Sequence, residues 1–140
     1  MTGLEKYSGS LVRQRSSSPK FIVHNTALLS SLSASTFEET LKQSEKWGRV
    51  VESAIGSHLI DGYVKSLFDL YYWRNGNNEV DFVVVRDQRV TAIEIKSGTM
   101  GSRSGMESFS RLFKPHRLLL IGDKGIPWQE FLRTDPGEIF

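Results

Sequence analysis

Glu79-Val80-Asp81-Phe82-Val83-Val84-Val85-Arg86-Asp87-Gln88-Arg89-Val90-Thr91-Ala92-Ile93-Glu94-Ile95-Lys96 is the stretch that decides the fold. Its two apolar runs are rich in β-branched residues and meet at Asp87-Gln88. It therefore reads as two strands, Glu79–Arg86 and Arg89–Ser97, joined by a tight turn. The long apolar neighbours are those of central strands covered on both faces. A third strand, Leu70–Arg74, precedes them across the turn signal Asn75-Gly76-Asn77-Asn78.

The strongest helix signal lies upstream, from Lys46 to Gly62. Trp47, Val50, Val51, Ala54, Ile55, His58 and Leu59 recur there at spacings of three and four, which makes one apolar face. A shorter helix is expected over Phe37–Lys46, with Thr36 as its cap before Glu38 and Glu39. Phe21-Ile22-Val23 reads as a strand, and Thr26–Leu32 as a short helix. Downstream come a glycine-rich loop at Ser97–Gly105, a helix at Met106–Phe113 and a buried strand at Arg117–Ile121. Gly125–Arg133 makes a closing turn or short helix. The core order is helix, three strands, helix, strand. This predicts an α/β fold with a central mixed sheet flanked by helices.

At 140 residues the chain is long enough for one core. The absence of cysteine excludes disulfides, thiolate metal sites and a cysteine nucleophile. The longest apolar runs, such as Leu118–Ile121, are far short of the ~20 residues that cross a bilayer. The N-terminus lacks an apolar signal core, so a cytoplasmic protein without a membrane partner is expected. The net charge of +2 is unevenly placed: residues 1–20 carry +3 and residues 21–140 carry −1. Residues 1–19, with five serines, read as a basic arm or connector, the alternative being a strand or tether. Residues 20–140 form the single domain.

Chemistry concentrates in the deciding stretch. Glu94 and Lys96 are two apart and share a strand face, while Ile93 and Ile95 take the other. With the turn centred between Asp87 and Gln88, Asp81 falls opposite Glu94, and Glu79 falls opposite Lys96. Opposed side chains have Cβ atoms about 4.5–5.5 Å apart. Two carboxylates so close repel unless something positive lies between them. Magnesium, or manganese, is the natural candidate, and a neighbouring lysine can position a water or steady charge on a phosphate. This kit suits phosphodiester hydrolysis. Glu52 lies about 110° from the centre of its helix's apolar face. Gly48 and Gly56 flank it and let the helix approach the sheet. The competing reading is a solvated face with an ordinary Glu79–Lys96 pair. The metal reading requires Asp81 and Glu94 on one sheet face, and a one-residue slip would separate them.

Glu52, Asp81 and Glu94-Ile95-Lys96, with the element order, resemble the PD-(D/E)XK nuclease superfamily and its restriction-endonuclease-like fold. A closer likeness is to an uncharacterised domain at the C-terminal end of many AAA+-type ATPases. It is carried by Ser18-Pro19-Lys20-Phe21, Gly48-Arg49-Val50-Val51-Glu52, Tyr72-Trp73-Arg74, Glu79-Val80-Asp81-Phe82 and Ile93-Glu94-Ile95-Lys96-Ser97. The Ser108-Phe109 segment before Leu118–Gly122 matches as well. The resemblance implies a metal held by Asp81, Glu94 and the Ile95 carbonyl. It implies a water positioned by Lys96, and Glu52 at a metal water or second metal. Asn25-Thr26-Ala27-Leu28 departs from the family's aspartate-threonine-glycine-leucine. No phosphate loop is present, so no ATP site is expected in this chain. The chain then resembles a detached C-terminal portion, with an ATPase or a second copy as partner. Tyr72, Trp73 and Arg74 can stack on bases and hold phosphate, or be core aromatics and a surface arginine. Arg103 is a further phosphate candidate. His24, His58 and His116 lack metal spacing, and His58 reads as a core residue. The leading expectation is a metal-dependent nuclease-type domain acting on DNA. Its rival is a non-catalytic interaction or regulatory module, and a third reading is a plain α/β scaffold.

Overall fold

Asp87 and Gln88 both take positive φ, 49° and 66°, as the two central residues of a type I′ hairpin turn must. They join β4 (Asn78–Arg86) to β5 (Arg89–Lys96). The pairing runs from Arg86↔Arg89 to Phe82↔Ile93, so the turn centre inferred from the sequence holds for these five pairs. The computed structural model describes residues 1–9, 18–24, 27, 31, 34–96 and 104–139. Apart from 27 and 31, the expected helix at 26–32 lies outside the described residues, as does the loop at 97–103.

Three further strands complete a sheet with β3 (Asp69–Asn75). They are β1 (Thr2–Lys6), β2 (Lys20–Ile22) and β6 (Arg117–Gly122). The sheet order is β2-β1-β3-β4-β5-β6. β1 runs parallel to β3 and β5 parallel to β6, and the other neighbours are antiparallel. The helices are α1 (Phe37–Lys42), α2 (Ser44–Val64), α3 (Ser104–Phe113) and α4 (Trp128–Arg133). The expected order of helix, three strands, helix and strand is α2, β3-β4-β5, α3 and β6. The chain is an α/β protein with a mixed sheet flanked by helices. No helix of the described residues is long and apolar enough to cross a membrane.

Residues 2–6 form a strand of this sheet, so for that part of residues 1–19 the strand alternative holds in place of the disordered arm. Only Leu4 in β1 is fully buried, so the segment's composition hides its place between β2 and β3. At α1, Thr36 caps the helix as expected. Its hydroxyl accepts from the Glu39 N–H while the Glu39 carboxylate accepts from the Thr36 N–H, a capping box. The helix stops at Lys42 instead of Lys46 because Gln43 is extended.

Two apolar clusters lie on the two faces of the sheet. One joins Val51, Ile55 and Leu59 of α2 to Leu70, Phe82, Val84, Ile93, Leu119 and Ile121. The other joins Met106 and Phe109 of α3 to Trp73, Val80, Val83 and Ala92. Residues 80 and 82 would share a face in an unbroken strand. They do not, because the β3–β4 register shifts between Tyr71↔Val83 and Trp73↔Val80. Asp81 and Phe82 together oppose Tyr72, which is a β-bulge.

α2 packs close to the sheet at Gly56. A Cβ there would lie 2.9 Å from Ile22 Cγ2 and 3.1 Å from the Phe82 ring. Overpacking costs about 1–3 kcal/mol, and the helix propensity of alanine returns about 1 kcal/mol. Gly56→Ala should therefore lower stability by about 1 kcal/mol, read as a lower urea midpoint at unchanged slope.

Candidate functional site

Lys20 enters the α2 face of the sheet from β2. Its Nζ lies 2.7 Å from Glu52 Oε1, 3.2 Å from Glu79 Oε1 and 3.7 Å from Asp81 Oδ1. It also lies 5.5 Å from the centre of the Phe82 ring. Glu52 comes from α2 and the other two carboxylates from β4. The bulge is what puts Asp81 here. Alternation places Glu79 on the α2 face and Val80 on the α3 face. It returns Asp81 to the α2 face, and Phe82 follows on the same side. Arg74, opposite Glu79 on β3, holds its second oxygen at 2.7 Å.

Asp81 spends its other oxygen on the backbone. The Ile95 N–H donates to Asp81 Oδ2 at 2.8 Å, just beyond the last β4–β5 pair at Phe82↔Ile93. Burial pushes the Asp81 carboxyl up to about 6. Lys20 and the Ile95 N–H pull it down, while Glu52 and Glu79 add to the push. Burial works against the charge on Lys20, but Asp81, Glu52 and Glu79 outweigh it and hold the ammonium above its ordinary range. Burial also raises Glu79, yet Arg74 and Lys20 prevail and keep it below the usual carboxylate range. The arrangement is an ionic cluster of three carboxylates against Lys20 and Arg74 that ties β2, α2, β3 and β4 together.

Glu94 and Lys96 lie elsewhere. Glu94 pairs with Leu120 of β6 and lines a groove with Met106, Ser110 and Leu118 on the α3 side. Its neighbours Ile93 and Ile95 pack with the α2 cluster. Lys96 follows Glu94, its Nζ 2.8 Å from Glu94 Oε1. Asp81 and Glu94 thus face opposite sides of the sheet. This corrects the expected pair and its bridging metal. The β4–β5 register agrees with the expected one from Arg86↔Arg89 to Phe82↔Ile93, but the expected pairs Asp81↔Glu94 and Glu79↔Lys96 are not among those formed, and the bulge turns Asp81 over. Lys96 pairs with Glu94 and not with Glu79. Ile95 meets Asp81 through its N–H, and not as a carbonyl ligand beside Glu94.

The residues do not fit a magnesium or manganese ion bridging Asp81 and Glu94. An ammonium already stands where the carboxylates of the α2 face converge. Among the described residues no group of three or more histidines or carboxylates is arranged to hold a metal. Lys20 is the residue the chemistry of the site had concealed. It stands in the Ser18-Pro19-Lys20-Phe21 stretch that carried part of the family likeness, but its partners are distant in sequence.

Tyr72 and Trp73 are 8% and 3% exposed, so neither ring offers a face to a base. They are core aromatics, and the Tyr72 hydroxyl donates to the Ser18 carbonyl. Arg74 is exposed and engaged with Glu79. Arg103 lies outside the described residues. His58 is a satisfied residue of the helix packing, its Nε2 2.8 Å from the Thr134 carbonyl oxygen.

Comparison with known proteins matches the chain to a family model. The model of the family described as "Domain of unknown function (DUF4143)" covers residues 47–133. It is a domain often found at the C-terminus of AAA-type ATPases. No curated protein and no solved structure matches the chain.

Two substitutions test the cluster. The folded pKa of Asp81, near 6, exceeds its unfolded value of about 3.9, so the folded state binds more protons between them. Stability from this group is fully present below pH 4 and falls by up to about 3 kcal/mol as pH rises through 6. Glu79, held low, has the opposite sign: its contribution is present at neutral pH and lost as pH falls below the usual carboxylate range. Asp81→Asn should remove the falling limb between pH 4 and 7, measured by urea unfolding against the parent. Lys20→Met, which leaves Glu52 and Asp81 without their cation and Glu79 with Arg74 alone, should cost about 3 kcal/mol at neutral pH, with part of the loss recovered at pH 5.

Proposed function

The chain belongs to the DUF4143 family, and from that premise we propose that it is a non-catalytic interaction or regulatory module. The observation that carries this reading is the position of Lys20. It occupies the point where Glu52, Glu79 and Asp81 converge, while Glu94 and Lys96 lie across the sheet. A hydrolytic site needs its acids and its lysine around one reacting phosphate. Here each acid group is already engaged by a lysine of its own face. The part of the chain from residue 21 onward carries −1, which gives little attraction for a polyanion. The family's usual place beside an AAA-type ATPase makes such an ATPase, or a second copy of this chain, the expected partner.

The second reading is a PD-(D/E)XK-type DNA hydrolase using magnesium or manganese. It draws on Glu52 and Asp81, which lie beside a lysine, although that lysine is Lys20 and not the expected Lys96. It also requires β5 to carry Glu94 and Lys96 to the other face.

The experiment is incubation of plasmid and single-stranded DNA with the chain and millimolar Mg2+ or Mn2+. The parent, Asp81→Ala and Lys96→Ala should all leave the DNA intact. Neither metal should shift the melting temperature of the parent by more than about one degree, the scale set by negligible binding. Metal-dependent cleavage that both substitutions abolish would restore the hydrolase reading.

A further inference from the structure

We propose that the groove between α3 and the β5–β6 end of the sheet binds a small, mainly apolar molecule that donates one hydrogen bond to Glu94. The groove has a volume of about 640 Å³, within the range of small-molecule sites. Leu118 and Leu120 of β6 form its floor and Met106 of α3 its inner wall. Leu118 remains 45% exposed, so this floor has apolar surface to offer a ligand. Ser110 lines the same wall, and the exposed Glu107 and Arg111 stand at the rim.

Glu94 supplies the independent observation. The residue is 6% exposed, and its Oε1 is taken by Lys96. Its Oε2 is buried and has no hydrogen-bond partner among the described residues. Buried polar atoms are seldom left in this state, and sites for ligands are one place where they are found. An apolar groove lined by a residue with one unanswered acceptor has the usual composition of a site for a small organic molecule, and a ligand seated on Leu118 and Leu120 reaches Oε2 by a small turn of the Glu94 carboxylate.

The charge balance narrows the ligand class. Lys96 already offsets the carboxylate, and Arg111 stands at the rim one helical turn from Glu107. A cationic ligand would meet Lys96 at close range, whereas an anion would meet Glu94. A neutral N–H or O–H on an apolar body satisfies Oε2 without either cost. This site lies across the sheet from the Lys20 cluster and does not depend on the proposed module function.

Indole, with one N–H on a flat apolar ring, and 1-methylindole, which lacks the donor, form a matched pair of probes. Each is titrated into the full chain and followed by backbone amide resonances. Indole should shift the amides of Glu94, Met106, Ser110 and Leu120 and saturate. 1-Methylindole should bind at least about tenfold more weakly, the low end of what a hydrogen bond to a charged group contributes. Ser110→Trp should fill the groove and abolish both titrations while keeping a folded spectrum. Glu94→Leu, if it folds, should bind the two probes equally. Equal affinity of the two probes for the parent, shifts mapped outside the groove, or no saturation below indole's solubility limit would each overturn the proposal. So would unchanged binding in Ser110→Trp.

Discussion

A lysine held away from bulk water needs its charge answered, and Lys20 is answered three times. Glu52 arrives from α2, and Glu79 and Asp81 from β4, so one ammonium links a short strand near the start of the chain to the main helix and a central strand. The reverse dependence is as strong. Three carboxylates on one face would repel, and the cation between them offsets that repulsion. The bulge opposite Tyr72 is the third member of this arrangement. It turns Asp81 and Phe82 to the same side, giving Lys20 both a carboxylate and an aromatic ring.

The strands and helices were largely legible in the sequence. Asp87-Gln88 marked the hairpin, the spacing from Trp47 to Leu59 marked α2, and Thr36 marked the start of α1. These signals are local, because turn chemistry, helical period and capping all act within a few residues. The site was less legible. A bulge shows itself in a sequence when apolar and polar residues alternate and the alternation slips. Val80, Phe82, Val83 and Val84 are apolar on both faces, so the slip left no trace. Lys20 could not be matched to Asp81 from spacing, since strand pairing across the whole chain brings them together. The arm reading of β1 failed for a related reason. Thr2-Gly3-Leu4-Glu5-Lys6 offers one buried side chain, and its strand character comes from two neighbours that supply the hydrogen bonds.

The two charged groups on opposite faces therefore differ in kind. In the Lys20 cluster every carboxylate has a cationic neighbour, and the cluster holds elements together. Glu94 and Lys96 form a simple pair at the wall of a groove, with one carboxylate oxygen unanswered among the described residues. The motif that drew them together in the sequence, an aspartate followed at a distance by Glu-x-Lys, spans both. A motif of this kind specifies residues along the strands, and backbone geometry decides whether they share a face.

β1 carries a consequence for how the chain reaches its fold. It lies between β2 and β3, and its parallel partner is β3, where Glu5 meets Tyr71. A strand made before β3 must then wait for it, and parallel pairing over such a separation is slow. Until β3 is in place, β1 can use only β2, through a short antiparallel ladder. The β3-β4-β5 meander, with its two tight turns, needs no such delay. The middle of the chain should organise first, and the N-terminal strands should dock onto an edge of β3 already built.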